Sequence, residues 1–319
     1  MNLVDIFNGD ADGLCALHQW RLAYPTESRL VTGVKRDINL LRDLQAQPGD
    51  TLTVFDISFD GNRADALRLL EAGASLRWFD HHFAGEPVAH ANLETHIDTS
   101  PQTCTSLLVD QALGGRYRAW AVAAAFGDNQ HVAAHEAAAV LRLSAAQLDT
   151  LAELGELLNY NGYGDSIADL HYPPDELYRQ MAPYEDPFAF AVGCTAFARL
   201  RAGFADDMKM AETLAPRLEE AHAAAWVLPD AAWARRVIGI MANRLATASP
   251  ERAHALLAPN ASGDFTVSVR APKKRPTGAD ELCRRFPTGG GRQAAAGINR
   301  LPPADVSAFL TEFSGFYRQ

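Results

Sequence analysis

The chain has 319 residues, is 48% hydrophobic and carries a formal net charge of -10 at pH 7. That length and apolar content support one large core or two moderate ones, with two domains expected. The negative balance argues against a protein that grips long nucleic acid through many phosphates.

No apolar stretch approaches the length of a membrane span, and the short run from Leu3 to Phe7 lacks the basic flank and cleavage site of a signal peptide. A cytoplasmic location with no membrane partner is therefore expected. Cys15, Cys104, Cys194 and Cys283 lie far apart without paired spacing, which favours buried reduced thiols over a zinc cluster or a disulfide framework.

In chain order, the first third alternates short apolar runs with helix-like stretches. Residues 3–7 precede 14–24, 29–34 precede 39–45, 51–55 precede 63–72, and 75–79 follow. Such alternation predicts a parallel sheet with crossover helices, an α/β fold. From Cys104 to Asn159 the composition turns alanine- and leucine-rich, which predicts helices over 119–126, 132–143 and 145–158. A further alanine-rich helical segment is expected over 206–225, and strand-like patterns at 236–240 and 265–269. The composition shift near Pro229–Ala234 divides the chain into residues 1–228 and a smaller α/β domain, residues 229–319.

Charge is unevenly spread. Between Thr266 and Arg300 there are eight basic residues (Arg270, Lys273, Lys274, Arg275, Arg284, Arg285, Arg292, Arg300) against Asp280 and Glu281, a local net of +6 that leaves -16 for the remainder. A basic segment on an acidic body suits a compact anionic ligand held at one place, and equally a solvated basic surface.

Acidic residues follow the apolar runs directly, where a parallel strand meets its next loop. Asp10 and Asp12 follow residues 3–7, Asp56 follows 51–55, and Asp80-His81-His82 follows 75–79. The carboxyl ends of parallel strands form the ligand crevice of open α/β sheets, so these side chains are expected to converge. Asp10-Ala11-Asp12-Gly13 alone is an ordinary turn or helix-cap composition, and Asp128 in Gly127-Asp128-Asn129 an ordinary cap. Their joint occurrence at successive strand ends points to a site. Close carboxylates with an imidazole repel one another unless cations neutralise them. Mixed oxygen and nitrogen donors suit Mn²⁺ or a related first-row ion, and this many donors would serve two ions.

The order Asp10-Ala11-Asp12-Gly13, Asp56, Asp80-His81-His82, Asp128 resembles the four motifs of the DHH phosphoesterase superfamily. The segment from Thr288 to Gly297, with Gly289, Gly290, Gly291 and Arg292, looks like the glycine-rich signature of its companion C-terminal domain, DHHA1. Together these motifs span nearly the whole chain. The resemblance implies a nanoRNase-like or pGpG phosphodiesterase-like enzyme, with its active site in the cleft between a metal-binding domain and a substrate-binding domain.

Carried over by position, the resemblance implies that Asp10 and Asp56 hold one ion and that Asp12, Asp56, His81 and Asp128 hold the other. Asp80 would orient His81, and His82 would sit beside the scissile phosphate, where it or a metal-bound water would protonate the leaving oxygen. The implied ions are Mn²⁺, with Mg²⁺ or Co²⁺ as substitutes. Two positions depart from the pattern. Asn8-Gly9 stands where nanoRNase-type members usually place a histidine, making Asn8 a weak ligand or a supporting residue, and Arg292 replaces the histidine that commonly ends the glycine motif. Gly289, Gly290 and Gly291 would let backbone N–H groups nest a phosphate, or form a plain hairpin, while Arg270, Arg285 and Arg292 would hold its charge.

The expected reaction is two-metal hydrolysis of linear dinucleotides such as pGpG, or of very short oligoribonucleotides, to 5′-mononucleotides. Alternatives within the same class are a cyclic dinucleotide phosphodiesterase, a 3′-phosphoadenosine phosphate phosphatase and a RecJ-like single-strand exonuclease. Outside it stands a nucleotide-binding regulatory protein. The expected partner is a short nucleotide, not long nucleic acid, with homodimer assembly left open.

Overall fold

Residues 2–318 are described in a computed structural model. They divide between Ala202 and Gly203 into two compact units. The first is built on the strands β1 (Leu3–Phe7), β2 (Arg29–Thr32), β3 (Thr51–Phe55), β4 (Ser75–Asp80) and β5 (Leu93–Ile97). All pair in parallel, in the order β2-β1-β3-β4-β5. The helices α1 (Ala11–Ala23) and α2 (Arg63–Glu71) make two of the crossovers. From β1 the chain steps one way to β2 and then the other way to β3, so the sheet order reverses between β1 and β3, the point where such sheets open a crevice.

Register makes that crevice specific. Phe7 pairs with Phe55 and Phe55 with Phe79, so the residues after each strand emerge side by side. The ladder continues one step further through Asn8 N–H to Phe55 C=O at 3.1 Å and Asp56 N–H to Phe79 C=O at 3.0 Å. One sheet face packs Ile6, Val54 and Trp78 onto Ala66, Leu69 and Leu70 of α2 and onto Leu41 and Leu44. β5 lay outside the reading from sequence, and the expected helix at 39–45 is instead a series of turns. There the Arg68 guanidinium donates to the carbonyls of Leu41, Arg42 and Leu44, replacing the bonds a helix would have supplied.

A helical layer completes the unit: α3 (Thr105–Ala112), α4 (Arg118–Gly127), α5 (His131–Ala138), α6 (Ala145–Gly162), α7 (Pro174–Met181), α8 (Pro187–Gly193) and α9 (Thr195–Ala211). Helix α4 is buried from Trp120 to Gly127 and packs against α1 and α6. The packing needs small residues. A Cβ on Gly155 would lie 2.0 Å from the carbonyl oxygen of Ala123, and one on Gly127 would lie 2.5 Å from the Ala11 methyl. No single helix among the described residues is long and apolar enough to cross a membrane. The four cysteines are buried and free.

The second unit holds β6 (Leu218–Glu219), β7 (Ala223–Val227), α10 (Ala232–Ala248), β8 (Ala253–Pro259), β9 (Phe265–Arg270), α11 (Ala279–Cys283), β10 (Gly289–Gly291), β11 (Ala295–Leu301) and α12 (Val306–Tyr317). Its sheet runs β10-β11-β9-β8-β7-β6, with β7 and β8 parallel and joined by α10. The two units divide within α9. The composition shift at 229–234 marks the turn from β7 into α10, inside the second unit.

Two elements differ from the reading by periodicity. The helix expected over 206–225 ends at Ala211, because Pro216 cannot continue it and Ala223, Ala224 and Ala225 are buried in the sheet, where pairing overrides alanine's helix preference. Residues 236–240 are helical, within α10. The buried positions Ala234, Val237, Ile238, Met241 and Ala242 repeat at helical spacing, which a five-residue window is too short to reveal.

The α4–α6 contact gives a direct test. Gly155→Ala should lower unfolding stability by about 1–3 kcal/mol through overpacking against the Ala123 carbonyl, read by chemical denaturation. Gly263→Ala, at a turn where a Cβ meets nothing within 4 Å, should show only the smaller strain of its positive φ.

Candidate metal centre

The first carboxylate is placed by the start of α1. Asp10 caps that helix, its Oδ1 accepting from the N–H groups of Asp12 at 3.0 Å and Gly13 at 3.1 Å. The loop before it is braced by Asn8, whose Oδ1 accepts from Asp10 N–H at 3.2 Å and whose Nδ2 donates to Lys35 C=O at 3.1 Å. Gly9 is required here, since a Cβ would lie 2.0 Å from the Gly33 carbonyl oxygen. Asn8 thus holds the loop through both ends of its amide.

Asp12 points from the first turn of α1 to the start of α3. Its two oxygens accept from the backbone N–H groups of Thr105 and Ser106, each at 2.7 Å, and so cap a helix 93 residues away. Asp56 follows β3 in the left-handed region, at φ 59°, which re-aims its side chain directly after the strand. Its Oδ1 accepts from the Thr105 hydroxyl at 3.0 Å. Asp128, the C-cap of α4, completes the set.

The imidazoles are fixed by different partners. His81 Nδ1 lies 3.1 Å from the Thr103 carbonyl, which can only accept, so Nδ1 carries the proton and Nε2 offers its lone pair. That nitrogen faces Asp56 at 3.4 Å, Asp128 at 3.9 Å and Asp12 at 4.0 Å. Asp80 does not orient the His81 ring, as the motif resemblance implied. Its Oδ1 accepts from His81 backbone N–H at 2.9 Å and from His82 Nδ1 at 2.7 Å, while Oδ2 accepts from Phe59 N–H at 3.3 Å. The cause is geometric: Asp80 ends β4 pointing into the turn that follows, and His82, two residues on, is the imidazole within reach.

Two donor groups arise that could hold a metal ion: Asp12, His81 and Asp128, and Asp56, His81 and His82. In the second, His82 Nδ1 is already committed to Asp80. The better set is therefore His81 Nε2 with Asp12, Asp128 and Asp56 around it.

Charge makes this cluster costly without a cation. Burial, then repulsion from Asp12, Asp10, Asp128 and Asp80, pushes Asp56 well above the usual carboxylate range. Burial also raises Asp128, with Lys35 opposing and Asp12 adding to the rise. Asp10 moves the other way: burial would raise it, but the Lys35 ammonium outweighs that and lowers it. Burial disfavours His82 cation, yet the Asp80 hydrogen bond and the neighbouring carboxylates raise its pKa.

Lys35, three residues beyond β2, was not singled out from sequence, nor were Thr103 or Thr105. Lys35 ion-pairs with Asp10, donates to Asn159 Oδ1 at 3.0 Å and lies 3.8 Å from Asp128 Oδ1. It also lies over the Tyr163 ring, 5.7 Å from its centroid. The available signal was positional, since β2 is also a parallel strand and its carboxyl end faces the same crevice.

The residues expected to bind substrate in the second unit do not form one anchor. Gly289, Gly290 and Gly291 are the edge strand β10, paired with β11, not a nest. N–H groups of successive strand residues point to opposite sides, so three of them cannot converge on one anion. A Cβ on Gly289 would lie 1.8 Å from the Cys283 carbonyl oxygen, so close packing on α11 accounts for this glycine. Arg270 lies on the sheet face toward α10, bonding Asn243 Oδ1 at 2.7 Å and Ser268 Oγ at 3.0 Å. Its neighbours Val267 and Val269 face the core with Phe309 and Phe313 of α12. Arg285 lies on that opposite side, 2.9 Å from Glu312 and over the Phe316 ring, 4.9 Å from its centroid. Arg292 sits exposed at the β10–β11 turn.

No family model and no curated protein matches this sequence. Solved structures do match. A RecJ exonuclease bound to manganese aligns over 100% of this chain and 90% of its own, with a TM-score of 0.65 and 17% identity. RecJ of Thermus thermophilus in complex with Mn²⁺ aligns over 99% of this chain and 52% of its own, with a TM-score of 0.67 and 19% identity. CDC45 of Entamoeba histolytica aligns over 100% and 95%, with a TM-score of 0.52 and 8% identity. The chain thus has the α/β fold seen in RecJ along its whole length, while spanning about half of the Thermus protein.

The repulsion around Asp56 leads to a stability test. A carboxyl whose folded pKa is raised binds its proton more tightly when folded, so metal-free stability falls as pH rises from the ordinary carboxylate range through the raised value. Asp56→Asn removes that charge and tolerates a left-handed φ. Without metal at pH 7 the variant should melt higher than the parent, each 1 kcal/mol gained being worth roughly 2–4 °C. Added Mn²⁺ should raise the melting point of the parent and not of the variant, measured by thermal unfolding.

Proposed function

We propose that this protein is a divalent-metal-dependent phosphoesterase that hydrolyses the phosphodiester bond of short nucleotides, pGpG and very short oligoribonucleotides among them, to 5′-mononucleotides. The observation that carries the reading is the set of buried carboxylates and one free imidazole nitrogen at the carboxyl ends of β1, β3 and β4. Three carboxylates lie within 4.0 Å of His81 Nε2. The raised pKa values of Asp56 and Asp128 mark a cluster short of positive charge. Oxygen and imidazole donors together fit Mn²⁺, with Mg²⁺ or Co²⁺ as substitutes. The RecJ structures of the same fold are complexes with Mn²⁺ and Mg²⁺.

A divalent cation held by His81, Asp12, Asp128 and Asp56 would supply charge neutralisation at the phosphate and activation of water. The protein's own residues do the rest. His82 is 41% exposed at its side chain and held by Asp80 through Nδ1, which leaves Nε2 as the nitrogen that would act on substrate. As an imidazolium it donates that proton to the leaving 3′-oxygen while the bond from phosphorus to that oxygen breaks and a water oxygen bonds to phosphorus. Asp80, fully buried, stabilises the imidazolium it faces. The raised pKa of His82 keeps this acid charged to higher pH than a free imidazole.

Short substrates are favoured by how the basic segment is spent. Lys274 pairs with Glu251, Arg284 with Asp280, Arg285 with Glu312 and Arg300 with Asp264, leaving no run of uncommitted cations among the described residues of that segment to track a strand. A second reading, a RecJ-type exonuclease on single strands, is favoured by the structural matches themselves.

Product analysis with Mn²⁺ separates these readings. pGpG and short oligoribonucleotides should be converted to mononucleotides faster than cyclic dinucleotides, 3′-phosphoadenosine phosphate or long single-stranded DNA, and Asp80→Ala should abolish turnover. Preferential degradation of the long strand would establish the RecJ-type reading instead, and metal binding with no turnover of any substrate would favour a nucleotide-binding regulator. For the acid role, His82→Ala should lower turnover by about 10²–10⁴-fold and remove the loss of rate that the parent shows as pH rises through the His82 pKa. Unchanged turnover across pH would remove that role.

A further inference from the structure

Lys35 lies outside every role the motif resemblance assigns, and its surroundings are those of a bound cation. Its ammonium ion-pairs with Asp10, donates to Asn159 Oδ1 at 3.0 Å, lies 3.8 Å from Asp128 Oδ1 and 5.7 Å from the Tyr163 ring centroid. Two carboxylates, an amide oxygen and an aromatic face around one ammonium form a complete cation cage. Asp10, 2% exposed, spends one oxygen on the α1 N–H groups and the other on Lys35.

The donor count around the imidazole points the same way. Both groups of residues that could hold a metal include His81, and neither includes Asp10. His81 Nδ1 is committed to the Thr103 carbonyl, which leaves Nε2 with one lone pair for one ion. A second divalent ion against Asp10 would sit beside a positive charge already held there, and like charges at that range repel strongly.

We infer that Lys35 is a built-in counter-cation that fills the Asp10 position, so that this centre takes one divalent ion, around His81 Nε2, and not two. The inference rests on reading the cluster as a metal site. One positive charge on the chain then replaces an ion that would otherwise have to be captured from solution.

The test is a count of bound metal, independent of turnover. The purified full chain is saturated with Mn²⁺, and ions per chain are measured by native mass spectrometry and by equilibrium dialysis with metal analysis. Wild type should hold one ion, Lys35→Met should hold two, and the double variant Lys35→Met with Asp10→Asn should return to one. Lys35→Gln provides a second neutral variant, and circular dichroism confirms that each is folded. Two ions on wild type, or one ion on both folded neutral variants, would overturn the inference and leave the metal centre standing. No divalent ion bound by wild type would overturn the metal reading itself.

Discussion

Everything at this site follows from the difficulty of burying several carboxylates together. Asp10, Asp12, Asp56 and Asp128 are brought within one pocket, where burial and mutual repulsion push Asp56 and Asp128 toward protonation. The chain meets that repulsion with fixed dipoles and hydroxyls: the start of α1 under Asp10, the start of α3 under Asp12, Thr105 on Asp56. These donors set the directions of the oxygens without neutralising them. The remaining negative charge is what gives the cluster its appetite for a cation.

That pocket depends on two kinds of precision in the scaffold. Parallel register brings the ends of β1, β3 and β4 level, so Asp56 and Asp80 emerge side by side, and Asp10 follows β1 at the cap of α1. The helical layer supplies Asp128, and its approach is set by glycine-to-backbone contacts between α4 and α6 that no larger residue permits. Side chains from distant parts of the sequence meet because the sheet aligns some of them and close helix packing delivers the last.

Much of this was legible in the sequence. The alternation of apolar runs and helical stretches in the first 80 residues gave the parallel sheet, and an aspartate after each run gave its carboxyl edge. The reading was weaker where tertiary contacts override local preference. Arg68 holds residues 41–44 in turns, Ala223, Ala224 and Ala225 are strand by virtue of pairing, and α10 hides its period inside a short window. At the site, counting acids located the pocket but passed over Lys35, because a lysine after a strand has no motif of its own. The second unit shows the converse error. Its basic residues are adjacent in sequence, yet strand alternation sends Arg270 to one face of the sheet and helix packing holds Arg285 on the other.

The bonds that Asp12 makes to α3 have one more effect. The same two oxygens that face the pocket also terminate a helix whose partial positive end points at them. Those two bonds set the orientation of the Asp12 carboxylate before anything binds. A cation arriving there would meet a donor that needs little reorganisation.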